Sequence, residues 1–323
     1  MAQVFKTLLN NDIATTRTLL HEAIPITGTI VSGTYNDENI KNYPHGMFQS
    51  VYDYPVLSSS ANHIFDLSYG YSSVESDPAN LQNDKKLNIY SQMAQVLVGY
   101  DQDGNILRFD RDGDLTGGTK FNKCVFVNYS RLLYKDEIKK GNFSMVISRS
   151  AGTPLTLADY GAENDYRVNS PAGEYGILYT SSVAAPGTGQ GIIYYQAGIA
   201  VINGQQQIFN DAEFYTGSLS ISGTADNVRK YWMDNNFNNT TELNSTIYFC
   251  RASHNEFNYS TNPTYLSESQ IRVKQETTDN PVSYVTTVGL YSADNELLAV
   301  AKLSEPLKKD PTNELTLRVR LDY

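Results

Sequence analysis

The run Leu315-Thr316-Leu317-Arg318-Val319-Arg320-Leu321 alternates apolar and polar residues without a break. A period of two is the signature of a strand with one face buried and the other in water. Similar strand-like runs, bounded by turn residues, fill the second half of the chain. Candidate strands fall at 175–181, 191–202, 213–222, 244–252, 271–276, 283–292, 296–303 and 314–322. Tyr291-Ser292-Ala293-Asp294-Asn295-Glu296 separates two of them with residues that favour turns. Strands joined by short turns predict antiparallel pairing. One helix is expected to interrupt them near Asp226 to Met233. No internal repeat of fixed period is present, which disfavours a solenoid or a propeller.

The first half is mixed. Val4, Phe5, Leu8, Leu9, Ile13, Leu19 and Leu20 recur at loosely helical spacing, and Pro25 ends the pattern, so residues 1–25 are expected to form a helical arm. Residues 26–33 read as a strand bounded by glycines, and 34–83 as long ordered loops with short strands. The clearest helix covers about 84–98: Leu87, Tyr90, Ala94, Leu97 and Val98 share one face, Asp84 suits the cap and Gly99 the stop. Residues 123–134 and 142–149 read as strands around a helical turn at 136–141. Turn-forming residues cluster at 150–173. The expected fold is β-rich α+β, built of antiparallel sheets and sandwich-like in its C-terminal half. Its parts are an arm at 1–25, an α+β domain at 26–150, a linker at 151–173 and a β-rich domain at 174–323.

Length and composition narrow the function classes. A chain of 323 residues can bury a core without disulfides or metals. Its formal charge is -10 and its basic residues cluster only in pairs such as Lys85-Lys86, so no stripe is present to neutralise phosphates. Direct nucleic-acid binding is not expected. No apolar run approaches a membrane span, and the N-terminus does not read as a signal peptide. Two cysteines, Cys124 and Cys250, sit in apolar strand-like runs and read as small buried thiols rather than a disulfide framework. The 24 tyrosines suit half-buried strands and surfaces that meet a partner equally well.

Motifs of catalysis are weak. Asp101, Asp103 and Asn105, and then Asp110, Asp112 and Asp114, place oxygen ligands at alternate positions, as a calcium loop does. The glycine and glutamate positions of an EF-hand do not match, and two turns explain the same residues better. The histidines His21, His45, His63 and His254 show no metal-ligand spacing. Gly187-Thr188-Gly189-Gln190-Gly191 lacks the lysine and hydroxyl of a phosphate loop. The chain is expected to be non-enzymatic, with no cofactor and no resident metal.

Four segments carry a resemblance. They are Leu19 to Thr29 (LLHEAIPITGT), His45 to Pro55 (HGMFQSVYDYP), Ser58 to Asp66 (SSSANHIFD) and Asn169 to Tyr179 (NSPAGEYGILY), and Phe257 to Tyr265 and the tail from Val285 add to them. The chain resembles virion structural proteins of contractile-tailed, T4-like bacteriophages, especially marine cyanophages. The resemblance implies a virion subunit assembled in the host cytoplasm from protein–protein contacts, with other virion proteins and symmetric copies of itself as partners. A baseplate or fibre-attachment connector is the expected place, with neck, collar or capsid decoration as the alternatives. A host-surface adhesin that binds glycan is the alternative of another class. Interface anchors are sought in the aromatic, loop-like segments: Tyr52, Tyr54, Phe257, Tyr259 and Tyr265.

Overall fold

The computed structural model describes residues 5–27, 37–43, 48–76, 82–147, 154–180, 184, 187–204, 229, 232–260, 262–268, 270–272, 276 and 278–323. The fold is β-rich α+β with antiparallel sheets. Contacts divide the chain into a larger unit, Leu19–Thr241, and a smaller one that joins Met1–Thr18 to Glu242–Tyr323. Two long strands, β1 (Ile13–Thr27) and β13 (Trp232–Ala252), contribute residues to each.

In the larger unit an eight-stranded sheet is built from β2 (Ile40–Asn42), β3 (Phe48–Tyr52), β4 (His63–Tyr71), β5 (Lys123–Tyr129), β9 (Arg167–Ser170), β10 (Gly173–Leu178), β11 (Gly191–Tyr194) and β12 (Ile199–Asn203). Its order is β2-β3-β4-β5-β12-β11-β10-β9, and every neighbouring pair is antiparallel. Around β13 a second sheet forms from β1, β6 (Glu137–Ile138), β7 (Ser144–Ile147) and β8 (Leu155–Ala158). The helices are α1 (Asn83–Leu97) and the short α2 (Arg131–Tyr134).

Both faces of the eight-stranded sheet are buried. On one side Phe65, Leu67, Val125, Val127, Ile193 and Ile202 join Met145, Ile147, Leu157, Trp232 and Phe237 of the second sheet in one core. Phe65 stacks on Trp232 at 5.2 Å, and Tyr129 tilts against Phe237 at 5.3 Å. On the other side Phe126, Tyr175, Ile177, Ile192, Tyr194 and Val201 join Tyr90, Ala94 and Leu97 of α1. The layers are helix, sheet and sheet, as two-faced burial requires.

Several expectations are corrected. The helical arm at 1–25 is instead strand from Ile13 onward: Ala14-Thr15-Thr16-Arg17-Thr18 is rich in β-branched residues, and pairing with β13 overrides the loose helical spacing. The linker at 151–173 holds β8 and β9, which belong to two sheets, so no boundary lies there. The domain at 174–323 is divided differently, since β10, β11 and β12 share a sheet with β2 to β5. Residues 34–83 hold, as expected, short strands among loops, and three of these strands, β2, β3 and β4, belong to that sheet. The candidate strand 191–202 is a hairpin, turned at Gly198 with φ +63°. The helical turn at 136–141 is β6 followed by a turn at Gly141, and the strand from 123 stops at Tyr129 before α2. Strand 213–222 lies outside the described residues, as do most of 26–33 and most of the helix near 226–233.

A buried carboxylate holds one corner. Asp159 accepts hydrogen bonds from Gly141 N at 2.7 Å, Phe143 N at 2.9 Å and the Tyr195 hydroxyl at 2.9 Å. Burial pushes its carboxyl up to about 6, and those three donors pull against the shift. Its proton is therefore held more tightly in the native state than in the unfolded chain. That contribution to stability is present at low pH and is lost as pH rises through about 6.

In the smaller unit β13 pairs with β18 (Leu315–Asp322), from Ser245 opposite Asp322 to Ala252 opposite Leu315. Two hairpins complete it: β14 (Leu266–Ser267) with β15 (Gln270–Ile271), and β16 (Ser283–Tyr291) with β17 (Leu297–Lys309). Lys309 is fully buried, and its ammonium donates to His254 O at 3.2 Å, Asn258 Oδ1 at 2.6 Å and Asp310 O at 3.0 Å. All three ammonium protons are matched, which makes the burial tolerable. Arg251 pairs with Asp12 at 2.9 Å and Lys6 with Glu256 at 2.5 Å.

Two outcomes are expected. A Cβ at Gly70 would lie 2.7 Å from Tyr90 N and 2.8 Å from Lys86 O. Gly70→Ala is therefore expected to push α1 off the sheet and cost about 1–3 kcal/mol in urea unfolding. Between pH 6 and pH 4 the native chain is expected to gain on the order of 2–3 kcal/mol relative to Asp159→Asn, read from denaturation at each pH.

Candidate functional site

Helix α1 buries Asn83, Lys86, Tyr90, Ala94 and Leu97. Its next face, at helical spacing, carries Lys85, Ile89, Gln92, Met93 and Val96 with Asn88 beside them. That face forms the wall of a groove of about 840 Å³. The opposite side is the sheet: Phe48 of β3, Asp66 and Ser68 of β4, and Asn128 of β5. Register brings these together, since Phe48 lies opposite Ser68 and Asp66 opposite Asn128. Gly70, two residues beyond Ser68, lets the helix backbone touch the sheet at one end of this wall.

The floor is polar within an otherwise apolar sheet. Asp66 Oδ1 accepts from Ser50 Oγ at 2.5 Å and contacts His63 Nε2 at 2.9 Å. Burial raises the Asp66 carboxyl, but the hydrogen bonds from His63 and Ser50 and the charge of His63 outweigh it and hold the group below its ordinary value. Ser50, Asp66 and His63 do not form a nucleophilic relay. The serine proton points at the carboxylate, and the imidazole contacts that same oxygen rather than the serine. Ser68 Oγ and Asn128 Oδ1 are buried and have no hydrogen-bond partner. The arrangement is suited to binding, with acceptors on the floor and apolar carbon on the helix.

The acidic turns differ from one another. Asp101 spends its oxygens on its own loop, accepting from Asp103 N at 2.9 Å, Asn105 N at 2.8 Å and Asn105 Nδ2 at 3.2 Å. Asp110, Asp112 and Asp114 bring carboxylate oxygens within 4.8 Å of one another. Lys120 supplies positive charge there, 2.9 Å from Asp110 Oδ2, and the N–H groups of Arg111 and Leu115 also donate to Asp110. Burial raises the Asp110 carboxyl and the Lys120 bond lowers it, with a net rise, whereas backbone bonding from Thr116 lowers Asp114. Turn geometry and Lys120 account for these contacts. Cys124 is fully buried and burial drives its thiol well up, so it is no nucleophile.

Of the aromatic residues singled out in the sequence, Tyr54 is 56% exposed, and Tyr52 packs edge-on against His63 at 5.4 Å. Both lie in the larger unit. Phe257, Tyr259 and Tyr265 lie in the smaller unit and are half-buried. Phe257 has φ +55°, and its carbonyl accepts from Ser283 Oγ. The Tyr265 hydroxyl is buried without a partner. The five are thus split between the two units. The groove residues were missed because they are far apart in sequence. The available signal is a polar residue inside an apolar strand, as in Phe65-Asp66-Leu67-Ser68-Tyr69 and Phe126-Val127-Asn128-Tyr129.

Comparison with protein-family models, with curated proteins and with solved structures finds no match. Among the described residues, no helix is long and apolar enough to cross a membrane.

Because the Ser68 hydroxyl is buried without a partner, Ser68→Ala is expected to be neutral or to stabilise by up to about 1 kcal/mol. Urea unfolding measures it, and a clear loss would mean that the hydroxyl is bonded in solution.

Proposed function

We propose that the chain is a structural subunit of a tailed-phage particle, tail-associated, acting through protein–protein assembly. One observation carries the assembly role. Among the described residues of the smaller unit, Ile271 and Val282 are the only buried apolar residues. A unit of about 100 residues needs a real core to offset chain entropy. The same unit leaves Phe5 60%, Leu9 68%, Leu297 53%, Leu298 67% and Val300 52% exposed. Exposed apolar residues beside so small a core favour contact with other chains.

Strand geometry supports the reading. The β16–β17 hairpin is a sheet of two strands, and such a sheet is marginal by itself in water. Its outer edges have no strand neighbour among the described residues, which leaves backbone groups ready to pair with another chain. The resemblance of the sequence to virion structural proteins supplies the particle. The acidic charge and the lack of a basic stripe favour protein rather than genome contact.

Quantitative mass spectrometry of purified particles, split into heads and tails, tests the proposal. Recovery with tails at about three or six copies, or a small multiple, is the expected result for a ring around the tail axis. Recovery with heads at high copy number would move the subunit to the capsid. Absence from both fractions would remove the virion role. In the same particles Leu298→Glu with Val300→Glu is expected to abolish incorporation while leaving the larger unit folded.

A further inference from the structure

We propose that the groove between α1 and strands β3 to β5 binds a neutral oligosaccharide. The inference rests on the groove alone and stands apart from the virion role. Size sets the first limit. About 840 Å³ is within the range of small-ligand sites and holds roughly two or three sugar rings. Charge sets the second. Lys85 and Asp66 are the charged residues of the lining, one of each sign, so the groove favours a ligand without net charge.

Hydrogen bonding sets the third limit. The floor is lined by Asn128 and Ser68, whose Oδ1 and Oγ are buried just beneath it without partners, beside Asp66. Ser68 is only 8% exposed and lies on the floor of the groove. Buried acceptors without partners are costly, so an occupant that reaches them gains by bringing hydrogens. Sugar hydroxyls do this and accept in return. The planar amides of Asn88 and Gln92, one helical turn apart, are placed to bracket vicinal hydroxyls from above. The apolar walls, Ile89, Met93 and Val96 with the Phe48 ring, suit the C–H faces of pyranose rings.

A peptide fits less well. An extended peptide gains most of its affinity by pairing with an open sheet edge. Here β4 lies between β3 and β5, and β5 between β4 and β12, so no edge faces the groove. Recognition must come from side chains, and side chains that accept on the floor and pack on the wall are what a hydroxylated ring requires. The acidic turns at Asp101 and Asp110 take no part.

The test is saturation-transfer NMR of the full chain with maltotriose, cellotriose, chitotriose and a mannotriose as probes. At least one is expected to bind with a dissociation constant of about 1 mM or tighter. Gln92→Ala is expected to weaken that binding at least about tenfold. Val96→Trp, at a position 64% exposed where the helix tolerates the change, is expected to block it. No signal from any of the four sugars would overturn the proposal, as would binding that both substitutions leave unchanged. Binding of an uncharged amphipathic Leu/Gln peptide, with none of the sugars bound, would assign the groove to a protein partner instead. A negative result here leaves the particle fractionation untouched.

Discussion

Strands β4 and β5 must be covered on both faces, and the architecture of the larger unit follows from that requirement. Phe126 faces the α1 layer while Val125 and Val127 face the second sheet, so neither surface tolerates water. The second sheet covers one face and α1, with Phe109 and Phe121, covers the other. Gly70 sets how closely the helix lies, because only hydrogen fits where Tyr90 N and Lys86 O approach. Where β4 and β5 carry Asp66, Ser68 and Asn128 instead of apolar side chains, the helix does not fill the space, and the groove results. Polar residues on two neighbouring strands of a two-faced core thus underlie the groove beside α1.

The two units are stabilised by different means. The larger has two apolar clusters with stacked and edge-on aromatic pairs. In the smaller, ion pairs and matched donors do much of what packing does elsewhere, with Lys309 buried among three acceptors and Arg251 on Asp12. Such contacts fix geometry but add little net stability when exposed. The β16–β17 hairpin leaves Leu297, Leu298 and Val300 exposed.

How far the sequence revealed this depended on the kind of signal. The α1 stripe from Leu87 to Val98 and the strict alternation of β18 were legible, because each has one wet face. The strand β3 was not, because Gln49, Ser50 and Val51 are all buried and its sequence does not alternate. Ile13 to Thr27 misled in the opposite direction, since its strand character comes from pairing with β13 rather than from its own pattern. The groove needed three strands and a helix to be brought together, and only the misplaced polarity of Ser68 and Asn128 announced it.

The two cysteines sit one in each unit. Cys124 lies sealed in the sheet of the larger unit, and Cys250 lies half-buried on β13 in the smaller one. No disulfide ties them, so Cys124 becomes reactive only as fast as its sheet opens, while Cys250 is already partly accessible. The chain therefore carries a built-in kinetic reporter. The rate at which an alkylating reagent reaches Cys124 records opening of the larger unit, with Cys250 as the internal reference for an accessible thiol.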